Sequence, residues 1–172
     1  MSDKLAHEAA PVSFGAKLAG SQSFAGLFRE GMALVEETAA YLDGPGRQES
    51  KKLNRTAALA YATESMRLTT RLMQLASWLL LHRAVKEGEM SLAQANKEKT
   101  KVRLSAGEAG SEETLKLLPQ RLRALIERSR MLQMEVRRLD ATIHAKPDPA
   151  LARRGNPVER QLGLLKAAFE RD

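Results

Sequence analysis

The stretch RLMQLASWLLLHRAV at residues 71–85 is the most apolar part of the chain and decides its fold. Ten of its fifteen residues are apolar, whereas the whole chain of 172 residues has a net charge of +7. On a helical wheel it has two adjacent apolar faces, made of Leu72, Ala76 and Leu79 and of Met73, Leu80 and Ala84. A helix that is apolar on several sides is buried on several sides. The stretch therefore predicts a helix packed inside a bundle.

The remaining face of this stretch is mixed in polarity and is a candidate protein interface. It carries Arg71, Gln74, Leu75, Trp78, His82 and Val85. Two further helices can cover about two faces, which leaves the face centred on Trp78 to a partner, since aromatic anchors with a polar rim dominate interfaces. A second copy of the chain is favoured, because a twofold dimer is the commonest use of such a face. Alternatively, residues 92–110 or the N-terminal arm cover Trp78.

Two more long helices accompany this one. Apolar residues at helical spacing predict a first helix that begins after Ser21 or Ser23 and ends at Gly44-Pro45-Gly46. The second helix should run from about Ser50 to Glu87. A seam with steps of three or four residues between Leu115 and Ile143, interrupted only by the polar Ser129, predicts a third. The fold class is therefore all-α, a three-helix bundle of long helices over residues 21–144.

The segments around the helices differ in composition. Residues 1–20 are predicted to be a flexible arm, and the glycine-containing region 88–114 a mobile linker with a short helix after Ser91. Residues 145–172 are predicted to be a flexible tail with a short amphipathic end, in which Val158, Leu162, Leu165 and Phe169 recur at helical spacing. That end would fold back on the bundle or dock in a groove of a partner, and the pattern favours neither.

The residue types exclude several kinds of chemistry. The chain has no cysteine, which rules out disulfides and zinc–thiolate sites and fits a reducing cytoplasm. No apolar run reaches the roughly 18–20 residues that would span a bilayer, and the N-terminus lacks the apolar core of a secretory signal. The three histidines, His7, His82 and His144, fall in three different elements, and the Glu-x-x-His pattern of di-iron bundles is missing. We expect no enzyme activity, no metal and no cofactor.

The basic residues leave one alternative. Six arginines surround the seam of the third helix, at positions 121, 123, 128, 130, 137 and 138. They indicate a solvated face or a docking face for an acidic protein, or else a basic helical protein that binds nucleic acid. The helices are too long for a helix-turn-helix, and aromatic residues, at 4% of the chain, are too few for base stacking. Nucleic-acid binding is therefore the second choice.

Three long segments of the sequence resemble those of a known family. FREGMALVEETAAYLDGPGRQESKKL (28–53), ESMRLTTRLMQLASWLLLHRAVKEGEMS (64–91) and LPQRLRALIERSRMLQMEVRRLD (118–140) resemble the bacterial RcdA family, the regulators of CtrA degradation. The resemblance covers about residues 23–142. It implies a three-helix bundle that forms a homodimer and has no catalytic activity. It also implies an adaptor that helps deliver the transcription factor CtrA to the ClpXP protease, together with the response regulator CpdR and the cyclic-di-GMP effector PopA. No family motif assigns these roles to single residues.

Overall fold

The computed structural model describes residues 22–99 and 110–144. All regular structure in these ranges is helical, which confirms the all-α prediction. The helices are α1 Gln22–Asp43, α2 Pro45–Ser50, α3 Arg55–Lys86, α4 Leu92–Lys99, α5 Glu112–Lys116 and α6 Gln120–His144. The three long helices α1, α3 and α6 enclose one hydrophobic core, and the short ones lie in the connections between them.

Local hydrogen bonding fixes both ends of α3. The helix begins later than the predicted Ser50, because the Asn54 side chain accepts a hydrogen bond from the Ala57 backbone N–H at 2.9 Å and caps the first turn. It ends as predicted before Gly88, which has a φ of 76°. The Glu89 N–H donates to the Ala84 carbonyl at 3.0 Å, a bond that closes a glycine-terminated last turn.

The three long helices do not alternate in direction. Helix α1 is antiparallel to both α3 and α6, so α3 and α6 are parallel to each other. On α1, Phe28 lies under the Arg83 guanidinium of α3, and Glu37 pairs with Arg128 of α6 at 2.5 Å. Further along α1, Tyr41 lies under the Arg121 guanidinium near the start of α6. Parallel neighbours need a connection that returns along the whole bundle, and residues 87–119 make this return.

Two short helices lie in the described parts of the return connection. Residues Leu92–Lys99 form α4, which is capped by reciprocal hydrogen bonds between Ser91 and Gln94 and buries Ala95 against α3. The short helix predicted after Ser91 is present, and the mobility predicted for residues 88–114 stays a prediction. Ser111 caps α5, with Glu112 and Glu113 in its first turn. Residues 100–109 lie outside the described part, as do the arm 1–20 and the tail 145–172.

Close approach of α1 to the other two helices depends on Gly31. A Cβ atom at this position would lie 2.5 Å from Leu79 Cδ1 and 3.6 Å from Leu132 Cδ2. The backbone of α1 therefore packs directly on the side chains of α3 and α6, and the core is narrow at this level.

Candidate protein-interaction surfaces

Trp78 lies inside the protomer and not at the centre of an exposed face. Its side chain is 1% exposed, and its Nε1–H donates to Asp140 Oδ1 of α6 at 2.8 Å. The Phe24 ring packs against Trp78 with their centroids 6.3 Å apart, and the His82 ring stacks on Trp78 with their centroids 3.9 Å apart. The predicted free face around Trp78 is therefore wrong.

The other residues of that predicted face are also buried or half-buried within the protomer. Arg71, Leu75 and His82 are buried, and Gln74 and Val85 are half-buried. The physical reason is the parallel arrangement of α3 and α6, whose return connection covers a side of α3 that a simple up-and-down bundle would leave open. Among residues 92–110, the alternative cover of Trp78, the structure describes α4, whose Lys99 donates to the same Asp140 Oδ1 that accepts from Trp78.

A polar network fastens α4 over this buried face. The Lys99 Nζ donates to both carboxylate oxygens of Asp140, at 2.5 and 2.6 Å. The His144 ring donates through Nδ1 to the Asp140 carbonyl at 2.8 Å, and its other nitrogen contacts the Asn96 side chain. Desolvation by itself raises the pKa of Asp140, but the hydrogen bonds from Lys99 and Trp78 outweigh it and lower that pKa.

His82 completes the network as a packed, neutral histidine. Its Nδ1 lies 3.0 Å from the Trp78 carbonyl, which can only accept, so Nδ1 carries the proton. Its Nε2 is buried and has no hydrogen-bond partner among residues 22–99 and 110–144. Burial lowers the pKa of His82. The fold brings its ring within 6.4 Å of His144, although the sequence places the two in different elements.

The real exposed apolar surface lies on the opposite side of α3. Four large side chains are exposed there, Leu59 by 70%, Met66 by 73%, Met73 by 66% and Leu80 by 52%. They are seven residues apart, so they form one stripe along the helix. Every exposed residue of α3 from Leu59 to Leu80 is uncharged, the others being Ala62, Thr63, Thr69 and Thr70. We call this surface, about 32 Å long at ~1.5 Å per residue, the α3 outer face.

The α3 outer face continues into a shallow apolar groove against α1. The groove has a volume of about 290 Å³ and is lined by Val35, Thr38, Ala39, Leu42, Asp43, Thr69, Leu72, Met73 and Ala76. The seven-residue spacing of Leu59, Met66, Met73 and Leu80 was visible in the sequence. That spacing is the sequence signal that predicts this stripe.

The buried side of α3 also carries an ion pair within the helix, between Glu64 and Arg67. Glu64 is 1% exposed and accepts a hydrogen bond from Arg67 Nη1 at 2.6 Å. The two residues are three apart on one helix, and the carboxylate is buried while the Arg67 side chain is 38% exposed. One turn further on, Arg71 donates to Ser129 Oγ of α6 at 2.9 Å. Ser129, the polar residue in the apolar seam of α6, thus forms a hydrogen bond between α3 and α6.

Other kinds of site find no support in the described ranges. Within residues 22–99 and 110–144, no three or more His, Asp or Glu side chains come together as metal ligands. In the same part of the chain, no helix has both the length and the apolar composition needed to cross a lipid bilayer. The predicted docking residues of the tail, Val158, Leu162, Leu165 and Phe169, lie outside the described residues.

Comparisons with known proteins show a family and a similar solved structure. A family described as "Protein of unknown function (DUF1465)" matches residues 15–169. The crystal structure of RcdA from Caulobacter crescentus CB15 is similar, with 51% sequence identity and a TM-score of 0.58. The match covers 74% of this chain and 95% of that one. A search of curated proteins gave no match.

Proposed function

This chain belongs to the DUF1465 family, the family of RcdA, and on that premise we propose that it is a non-enzymatic adaptor in regulated proteolysis. It would help deliver a CtrA-like transcription regulator of the cell cycle to the ClpXP protease in the cytoplasm. The observation that carries the proposal is the 51% identity over 95% of the RcdA chain, which confirms the resemblance recognised in the sequence. By the same resemblance, a CpdR-like response regulator and a PopA-like cyclic-di-GMP effector would be partners.

The described surface supports a role based on contacts. The α3 outer face exposes four large apolar side chains without a charged neighbour between them. Contiguous exposed apolar surface of this kind marks interaction sites. Two of its residues, Met66 and Met73, are methionines, whose flexible side chains adapt to a partner's surface.

We assign the α3 outer face to a homodimer, in place of the face around Trp78. Heptad spacing of large apolar residues with Ala and Thr between them is the pattern that packs one helix against another. In a twofold dimer the same stripe meets its own copy, so one self-complementary surface suffices. The groove beside Met73 would receive side chains of the second copy.

The dimer is tested by placing a charge in the centre of the stripe. We expect Met73→Glu to halve the mass measured by light scattering, because a carboxylate buried in an apolar interface costs several kcal/mol. Met134→Glu is the matched control, since Met134 on α6 is 56% exposed but lies on another face. Equal masses for the wild-type and Met73→Glu proteins would remove the α3 outer face from the dimer.

The adaptor role is tested by reconstituted degradation. A CtrA-like regulator is incubated with ClpXP, the response regulator and the cyclic-di-GMP effector, with and without the full chain, and substrate loss is followed over time. We expect faster loss with the chain present and no proteolysis by the chain alone. An unchanged rate, combined with steeply salt-dependent binding to duplex DNA, would favour the nucleic-acid alternative.

The tail stays a separate proposal. Its amphipathic end, with Leu162, Leu165 and Phe169 at helical spacing, suits docking in a partner's groove. A chain truncated before residue 146 should then keep its mass and thermal stability but lose acceleration in the degradation assay. Full acceleration by the truncated chain would exclude the tail as a partner contact.

A further inference from the structure

All sulfur atoms of this chain belong to methionine. The chain has no cysteine and seven methionines, so an oxidant that reacts with sulfur meets only thioether groups. Four of the described methionines are more than half exposed, Met66 by 73%, Met73 by 66%, Met131 by 53% and Met134 by 56%. A dissolved oxidant therefore has direct access to these four side chains.

The four exposed methionines form two pairs in different surroundings. Met66 and Met73 are one heptad apart in the centre of the α3 outer face, where every exposed residue is uncharged. Met131 and Met134 lie on α6, whose exposed side carries arginines and glutamates. A polar group added to the first pair would interrupt an apolar surface, whereas the same group on the second pair would join a polar one.

Oxidation of methionine adds such a polar group in a two-electron reaction. A lone pair of the sulfur attacks one oxygen of hydrogen peroxide, the O–O bond breaks, and the second oxygen leaves as water with both protons. The sulfur is oxidised by the two electrons that reduce the peroxide. Methionine sulfoxide reductase reverses the change with two thiols, which become a disulfide while the sulfoxide oxygen leaves as water. A methionine in an interface can therefore be switched between an apolar and a polar state.

The hydroxyl groups beside Met73 on α3 already donate to the backbone. One turn before it, the Thr69 hydroxyl donates to the Ser65 carbonyl at 2.9 Å, and one turn after it, the Ser77 hydroxyl donates to the Met73 carbonyl at 2.8 Å. The Thr38 hydroxyl of the adjoining groove is buried, out of contact with solvent. A sulfoxide oxygen at Met73 would thus take its hydrogen bonds from water, and a second helix packed on this face would remove that water.

We propose that reversible oxidation of Met66 and Met73 controls the self-association of this chain. The inference rests on the proposed function, in which the α3 outer face forms the homodimer. Hydrogen peroxide reacts with the free protomer, in which both side chains are exposed, and the two sulfoxides hold that protomer in the monomeric state. A chain without cysteine thereby gains a response to oxidants at its interaction surface.

The size of the effect follows from the number of new acceptors. A twofold dimer contains each methionine twice, so four sulfoxides would meet at one interface. One buried acceptor without a donor weakens an association by roughly 5- to 150-fold. If only two of the four sulfoxides lack a donor, the Kd of the dimer should still rise by about 30-fold or more.

The test follows self-association and oxidation sites together. The full chain is treated with hydrogen peroxide, the oxidised positions are identified by peptide mass spectrometry, and the Kd of the dimer is measured by sedimentation equilibrium. We expect the Kd to rise as sulfoxide accumulates at Met66 and Met73, and treatment with methionine sulfoxide reductase to restore the original value. An unchanged Kd after complete oxidation of both residues overturns the proposal.

Two matched double variants assign the effect to one pair of methionines. Met66→Leu/Met73→Leu keeps apolar side chains of similar size but cannot form a sulfoxide, so it should dimerise and remain dimeric in peroxide. Met131→Leu/Met134→Leu removes the same number of exposed thioethers from α6, and it should stay as sensitive to peroxide as the wild-type chain. Equal sensitivity of the two variants contradicts the assignment to the α3 outer face.

The rate of oxidation separates failure of this inference from failure of the proposed dimer. Met66 and Met73 should react more slowly as the protein concentration rises through the Kd, because the dimer covers them, whereas the rates at Met131 and Met134 should stay constant. If Met66 and Met73 react equally fast at all concentrations, the α3 outer face is not the dimer interface, and both proposals fail. If they are protected but their oxidation leaves the Kd unchanged, the dimer stands and this inference alone is overturned.

Discussion

Removing the Asp140 carboxylate should release α4 and expose the buried tryptophan. Asp140 accepts from Trp78 Nε1 at 2.8 Å and from Lys99 at 2.5 and 2.6 Å. In Asp140→Ala the buried indole N–H loses its partner, at a cost of about 1–3 kcal/mol. Loss of the partly exposed Lys99 pair adds up to about 1 kcal/mol. The sum of roughly 1–4 kcal/mol corresponds to a Tm lower by about 2–16 °C.

Asp140→Asn separates the two contributions. The amide oxygen can still accept from Trp78, so this variant should lose only the charge-dependent part, about 1 kcal/mol. The pKa of Asp140 is lowered in the folded chain, so its contribution is present above the ordinary pKa near 3.8 and is lost as the pH falls through the lowered folded value. The deficit of Asp140→Asn should therefore shrink below about pH 3.8.

The assay is thermal denaturation at one fixed protein concentration, followed by circular dichroism and by tryptophan fluorescence. Trp78 is the sole tryptophan of the chain, so its emission reports on this site alone. We expect a red-shifted emission in Asp140→Ala before global unfolding. Glu135→Ala, at an exposed position of α6, is the control. If Asp140→Ala lowers the Tm no more than this control, the Asp140 network does not hold α4 and the reasoning fails.

Three further predictions concern packing and protonation. Gly46→Ala should destabilise the chain by about 1–3 kcal/mol in urea unfolding, because its Cβ would lie 2.6 Å from Tyr61 Oη and 2.8 Å from the Tyr41 carbonyl. Gly26→Ala, whose Cβ would have no atom of the described residues within 4 Å, should instead stabilise it by about 0.4–1 kcal/mol. Because burial lowers the pKa of His82 below 6.5, the Tm should fall as the pH drops below that value, and less steeply in His82→Phe.

The helical character of the chain and the ends of its long helices follow from local sequence. Gly44-Pro45 ends α1, Gly88 ends α3, and the three-and-four spacing from Leu122 to Ile143 gives α6 its buried side. These features depend on backbone preferences and on periodicity, both of which act over a few residues. The family likewise follows from the sequence, since long segments of the chain resemble the RcdA family.

The location of the exposed surface depended on the tertiary structure. The sequence shows that α3 has more apolar surface than two helices can cover, but not which side stays uncovered. That choice is made by the parallel pairing of α3 with α6, because the return connection then places α4 and Lys99 over Trp78 and leaves Met66 and Met73 in solvent. Direction of packing is a property of contacts far apart in the chain, which local patterns of hydrophobicity do not encode.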